Sequence, residues 1–297
     1  MKRITSASRL LPFGCFFLAA SCAPPRGRWF LGIVVARMVF AWPNTPWAII
    51  WKARVSDLAL MSQLLDPMHR RYIESLNIRP GARTLEVGCG NGSISAWLAA
   101  RVAPGEAVAC DLDLSLINVR AQGLQLRQGN IVAGPIEPAS FDLVTARALL
   151  HHVADAEAAI VNLVASLRPG GAIVLIEPDF LPITIAEPPE VRAFWDGWLA
   201  WSRERGIDYH IGRTLAPRLA ALGLEQIGGA AETAIYNGSS PWADYWTQTI
   251  VELRNDLVSS GRLNEALIDT FLGYCADPGW WTQTIAFTAV HARAACN

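Results

Sequence analysis

The chain has 297 residues, 52% of them apolar and 17% charged, enough for one large α/β domain or two small ones and incompatible with a disordered or low-complexity architecture. Its 25 Lys and Arg against 26 Asp and Glu leave a formal charge of −1 without a block of five basic residues, so no nucleic-acid partner is expected. The six cysteines form neither a CxxC pair nor a Cys/His cluster at zinc spacing, so no metal is expected, and Cys89 and Cys110 read as reduced packing residues.

The first 41 residues read as a leader or extension, expected to be poorly ordered. Lys2, Arg3 and Arg9 precede an apolar run from Leu10 to Ala20, the outline of an export signal. The leucine before Cys22 is one position too far upstream for a lipoprotein box. A second apolar run, Trp29 to Trp42, is broken by Arg37 and is shorter than the roughly 20 residues that span a membrane. Export, membrane association and translated sequence ahead of a start at Met38 are the three readings. The last is favoured, with a cytoplasmic protein and no integral span, because the remainder looks like an enzyme with a cytosolic cofactor.

Residues 42–79 carry N-terminal helices flanking the site. Two are expected, Ser56 to Leu65 and Pro67 to Leu76, separated at Asp66-Pro67. From residue 80 onward strand and helix patterns alternate. Strands are expected at Arg83 to Val87, Ala107 to Asp111, Leu124 to Gln128, Phe141 to Arg147 and Ala172 to Glu177. Helices are expected at Ser93 to Arg101 and Ala156 to Leu167, the latter stopped by Arg168-Pro169-Gly170-Gly171. Such alternation implies parallel strands with helical crossovers, a doubly wound α/β sheet. Beyond a proline-rich link, an aromatic helix runs from Val191 to Arg205 and another from Arg213 to Leu222. Then come a strand from Leu224 to Ala234, helices Pro241 to Ser259 and Leu263 to Asp277, and a last β-like stretch, Thr282 to Ala289. The segments near 189–205 and 241–277 form an inserted helical cap.

The motif that carries chemistry is Leu85-Glu86-Val87-Gly88-Cys89-Gly90-Asn91-Gly92-Ser93, where the first strand turns into a helix. Glycines let backbone and ligand approach closely, and a helix start offers free N–H groups. Glu86 lies two positions before the first glycine, and Asp111 ends the second strand, placed to accept from two ribose hydroxyls. A pyrophosphate gains nothing from Glu86, whereas a ligand with an ammonium group and a sulfonium charge does. Each acid also has a structural reading, as a strand-end carboxylate or a helix cap.

With Val108-Ala109-Cys110-Asp111-Leu112-Asp113, Gly129-Asn130-Ile131, Phe141-Asp142-Leu143-Val144, Leu150-His151-His152-Val153 and Leu167-Arg168-Pro169-Gly170-Gly171, residues 76–179 resemble the class I S-adenosylmethionine-dependent methyltransferases. More narrowly, they resemble the bacterial small-molecule enzymes of that class. The resemblance implies a mostly parallel seven-stranded Rossmann-like sheet and S-adenosylmethionine as cofactor. It implies that Glu86, Gly88, Cys89 and Gly90 hold the methionine and ribose part and Asp111 the ribose diol. Leu112 and Ile131 would pack on the adenine, and Asn130 would accept from its amino group where the family usually has an acid. Arg147 would add a polar contact to the methionine moiety.

Methyl transfer from a sulfonium needs mainly alignment, so a dedicated catalytic residue is not required. Where the acceptor must lose a proton, His151 or His152 is the candidate base, against a structural role. Glu177, Asp179, Tyr209 and His210 are candidates for the acceptor pocket. Among twelve tryptophans, Trp195, Trp198 and Trp201 fall at helical spacing, as do Trp242 and Trp246. Such stripes are commonly core, and their concentration in the cap favours a small, fairly apolar acceptor. The alternatives are an NAD(P)-dependent oxidoreductase, whose fingerprint asks for Gly or Ala where Ser93 stands, and a non-catalytic module retaining the cofactor fold. The sequence leaves the oligomeric state open.

Overall fold

In the computed structural model, residues 55–296 are described, and the expected leader lies outside them. Helix α1, Val55–Ser75, precedes β1, Arg83–Val87, and α2, Ser93–Val102. Strands β2, Glu106–Asp111, β3, Leu124–Gln128, and β4, Phe141–Arg147, follow, then α3, Ala156–Ala165, and β5, Leu167–Asp179. The remaining elements are α4, Pro189–Glu204; α5, Leu215–Ala221; β6, Glu225–Asn237; α6, Pro241–Ser259; α7, Glu265–Ala276; and β7, Trp281–Arg293.

The seven strands form one sheet in the order β3-β2-β1-β4-β5-β7-β6. The first five are parallel, and β7 runs antiparallel to both β5 and β6. This is the doubly wound, mostly parallel sheet expected, with one antiparallel strand, β7, inserted between β5 and β6. Strands β1, β2 and β4 are buried almost throughout, because helices cover both faces of a parallel sheet. One apolar layer includes Ile94, Leu98, Val174 and Trp198, and the layer across the sheet includes Leu85, Val108, Phe141 and Leu215.

Four elements differ from their sequence patterns for identifiable reasons. Helix α1 is continuous through Pro67 rather than broken there. Proline deletes one backbone hydrogen bond, but Leu65, Met68 and Ile73 are all buried in the same apolar layer, and that burial holds the turns on either side together. Strand β5 begins at Leu167 because Leu167 pairs with Phe141 and Ala172 with Leu143, so Arg168-Pro169-Gly170-Gly171 forms an irregularity inside the strand instead of a stop. Strands β6 and β7 extend through 13 residues each, since their antiparallel pairing continues past the sheet's parallel part.

The helices of the cap start on local signals. Ser240 accepts from the Ala243 N–H ahead of α6, and Asn264 from the Leu267 N–H ahead of α7. Helix α4 starts at Pro189 and buries Val191, Phe194, Trp195, Trp198 and Trp201, the three- and four-residue spacing of one helical face. Phe194 stacks on Phe271 of α7 at 4.0 Å, and Trp195 meets Trp246 of α6 edge-on at 4.8 Å, so aromatic contacts join the cap helices. Among the described residues no helix is long and apolar enough to cross a membrane.

Candidate active site

The carboxyl ends of β1, β2, β4 and β5 meet at one edge of the sheet, where the strand order reverses between β1 and β4. After Val87 the chain turns through Gly88 at φ 71° and Gly90 at φ 53°, both left-handed. A Cβ on Gly88 would lie 3.0 Å from Leu149 Cδ1. The Gly88 and Cys89 N–H groups both donate to the Cys110 carbonyl, which ties the loop to the end of β2. Asp111 then closes on it: Oδ2 accepts from the Gly90 N–H at 3.0 Å, and Oδ1 from the Asp113 N–H at 3.3 Å. Burial raises the Asp111 carboxyl above its ordinary range, against the pull of these donors.

Glu86 is 3% exposed and accepts a hydrogen bond from Ser95 Oγ of α2. Burial pushes its carboxyl up to about 7, with Ser95 and Arg147 acting against the shift and Asp66 reinforcing it. Helix α1 lies over the loop. Asn91 Nδ2 donates to the Leu58 carbonyl at 3.3 Å and to Ser62 Oγ at 3.0 Å. Asp66 accepts from Ser93 Oγ at 3.1 Å and from Arg147 Nη1 at 2.9 Å. The proline-broken reading of residues 56–76 concealed this, because one continuous helix is what carries Leu58, Ser62 and Asp66 together across the glycine loop.

Beyond β4 a 3-10 turn, Leu150–His152, points its N–H groups at Glu177 of β5. Glu177 Oε1 accepts from Leu149 N at 2.9 Å and Leu150 N at 2.7 Å. Its Oε2 accepts from His151 N at 3.3 Å and lies 2.7 Å from His151 Nδ1. An ionised carboxylate only accepts, so Nδ1 carries the imidazole proton and Nε2 keeps its lone pair. Burial lowers the His151 imidazolium to about 3, Asp208 opposing it, and raises Glu177 to about 7 against its backbone donors. Above about pH 7 the pair is therefore a neutral imidazole on a carboxylate. The His152 ring lies 3.7 Å from that of His151 and is likewise held neutral by burial.

These elements enclose a cavity of about 250 Å³. Glu86, Gly88, Cys89, Gly90, Asp111 and Arg147 line one part of it, with Leu58, Met61 and Ser62 of α1 above them. His151, His152 and Tyr209 line it further along, and Phe180, Trp198, Trp201, Trp246, Ile285 and Phe287 supply apolar walls. The tryptophan stripe of α4 thus serves core and cavity at once. Its spacing alone could not separate the two roles, since both require the same buried helical face.

Six candidate residues stand outside the cavity lining. Leu112 is 37% exposed. Asn130 is exposed and its side-chain oxygen accepts from Val132 N at 3.0 Å, a turn contact. Ile131 packs into the apolar layer behind it, its carbonyl accepting from Asn162 Nδ2 at 2.7 Å. Glu177 lies behind His151, fully buried. Asp179 accepts from Arg213 Nε at 2.7 Å and from Leu181 N at 2.9 Å, and burial, which raises its carboxyl, is outweighed by Arg213. His210 sits 3.6 Å from the same carboxylate. Asp179 and Arg213 pin the segment that presents Tyr209, whose ring stacks on Phe180 at 4.0 Å. Among the described residues no group of three or more His, Cys, Asp or Glu could hold a metal.

Residues 85–175 match a family described as a methyltransferase domain. A ubiquinone biosynthesis O-methyltransferase of Coxiella burnetii is 35% identical over 117 residues, 37% of this chain and 49% of that protein. A demethylmenaquinone methyltransferase of Lactobacillus johnsonii is 30% identical over 118 residues, 36% of this chain and 48% of that protein. The chain spans about half the length of these relatives. A crystal structure of a putative methyltransferase from Bacillus halodurans superimposes with a TM-score of 0.52 at 16% identity, covering 76% of this chain and 98% of that one, a likeness of fold.

Proposed function

Residues 85–175 make this chain a member of the class I S-adenosylmethionine-dependent methyltransferases, and from that premise we propose that it transfers a methyl group from S-adenosylmethionine to a small, fairly apolar acceptor. The observation that carries the reading is a pair of buried carboxylates, Glu86 and Asp111, flanking a left-handed glycine loop on one cavity. A buried carboxylate whose hydrogen bonds come from a single serine gains from a cationic ligand, and Glu86, bonded by the Ser95 hydroxyl and backbone, is such a group. An adenosyl sulfonium with an ammonium group fits it, whereas an anionic dinucleotide does not.

When bound, the cofactor supplies an electrophilic methyl group on a sulfonium. The chain's own residues bind and orient. Gly88 and Gly90 admit the ligand against the backbone, Glu86 meets positive charge, and the free acceptor capacity of Asp111 takes ribose hydroxyls. Arg147, already paired with Asp66, adds a guanidinium beside the methionine part. The apolar walls from α4, α6 and β7 exclude water and align the acceptor, which for an in-line displacement is the larger part of catalysis. Both relatives are named for quinone-related methylation, which supports an acceptor of low polarity.

The test is calorimetric titration of the full chain with S-adenosylmethionine, S-adenosylhomocysteine and NADH, with Asp111→Ala as control. Micromolar binding of the two adenosyl ligands, weakened about 100-fold or more in the variant by loss of a charged double acceptor, is the expected result. Binding of NADH in their place overturns the reading.

A further inference from the structure

On the reading of the chain as a methyltransferase, we infer that its acceptor is an aromatic hydroxyl compound and that His151, positioned by Glu177, takes the hydroxyl proton. Three observations carry this. Four donors converge on Glu177, and one of them is Nδ1 of His151 at 2.7 Å. The carboxylate stands outside the cavity while the imidazole lines it, and with Nδ1 held by Glu177 the other ring nitrogen, Nε2, is the one left to face an acceptor. A carboxylate behind an imidazole fixes the tautomer and stabilises the imidazolium once a proton arrives.

The walls select among acceptors. Arg147 is the one Lys or Arg side chain among the described residues lining the cavity, and it is bound to Asp66 at the cofactor end. A phosphorylated or carboxylated acceptor therefore meets no cation in the acceptor half. An ammonium acceptor would need open ring faces. Here Phe180 is stacked on Tyr209 and takes the edges of Trp195 and Trp246, Trp201 already carries the Arg205 guanidinium at 4.6 Å, and Glu252 is not free. A neutral flat body suits such walls. Burial disfavours the imidazolium, so the proton leaves as the O–CH3 bond forms and the hydroxyl becomes strongly acidic, and a phenol with a pKa of about 10 needs less of that assistance than an aliphatic alcohol.

The step balances. The O–H bond breaks and its proton passes to Nε2; the oxygen pair forms the new O–CH3 bond; the S–CH3 pair returns to sulfur, leaving the thioether S-adenosylhomocysteine. The imidazolium then releases its proton to solvent.

The experiment presents the full chain and S-adenosylmethionine with 2-naphthol, 2-naphthylamine and 2-naphthyl phosphate, following release of S-adenosylhomocysteine. Turnover of the naphthol alone is expected. Glu177→Gln and His151→Gln should each lower kcat by about 100-fold or more while cofactor affinity stays within about threefold. Independently of turnover, nitrogen-15 NMR of the wild type should find the His151 proton on Nδ1 at pH 8. Failure to bind the cofactor would sink the methyltransferase reading itself. Cofactor binding with turnover of the amine or the phosphate ester, with no turnover of the naphthol, with full-rate variants, or with the proton on Nε2, overturns this inference alone.

Discussion

Asp66 of α1 lies 2.9 Å from Arg147 at the end of β4, both side chains about one-tenth exposed, and the same carboxylate accepts from Ser93 at the start of α2 and from Arg70. One side chain thus joins the N-terminal helix, the cofactor loop and the central strand. Its partners are also the reason α1 stays whole across Pro67, since Asp66 is held by three donors exactly where a break was to be expected.

Removing that carboxylate leaves the largely buried Arg147 guanidinium without its partner. Asp66→Ala should cost roughly 3 kcal/mol of unfolding free energy, the scale for breaking a buried pair. It should also weaken S-adenosylmethionine, because α1 then keeps only one of its two contacts with Ser93, that of Ser62 Oγ at 3.1 Å. Urea melts and calorimetry check both effects, and a variant with wild-type stability would show that the pair contributes nothing net.

Glu86 makes stability and binding respond to pH in opposite senses. Burial pushes its folded carboxyl up to about 7 from an ordinary value of 4.5, so between those values the unfolded chain has released a proton that the folded chain retains. Stability conferred by this group is therefore present at low pH and lost as pH rises towards 7, by up to about 3 kcal/mol. The charged neighbours that face it, Arg147 and Asp66, act in opposite directions. The stability difference between wild type and Glu86→Gln should shrink or reverse by that amount from pH 4.5 to 8. Binding of the cationic cofactor should tighten over the same interval, as Glu86 ionises. Parallel pH dependences in the two proteins would remove Glu86 as the cause.

Trp198 is 1% exposed, lines the cavity and touches the rings of Phe194, Trp195, Trp201 and Trp246. Trp198→Ala should cost about 3 to 5 kcal/mol through the void it leaves. Trp198→Phe should retain most of the stability while altering acceptor selectivity, because the cavity wall changes shape. Thermal melts and a competition between two acceptors of different width separate the two roles. Unchanged selectivity in the Phe variant would make Trp198 a core residue only.

Much of this protein was legible from local pattern alone. The glycine loop between Glu86 and Ser93, Asp111 at a strand end and the alternation of strands and helices through Glu177 report on backbone conformation and burial within a few residues, which sequence encodes directly. Left-handed turns at Gly88 and Gly90 and fully buried parallel strands leave the same residue types wherever they occur.

Tertiary structure decided what depended on partners far apart in the chain. Glu177 and His151 both carried functional readings, but only the meeting of β5 with the turn after β4 makes them a carboxylate–imidazole pair. Asn130 and Asp179 read in the sequence as ligand contacts, and only the folded chain brings them the turn N–H and the arginine whose hydrogen bonds they accept. Pro67 reads locally as a break, yet the helix persists on contacts with residues up to 81 positions away. The physical reason is common to all of these cases. Propensity and motif act over a turn or a strand, whereas burial, charge pairing and cavity walls are properties of surfaces that exist only after distant segments have packed.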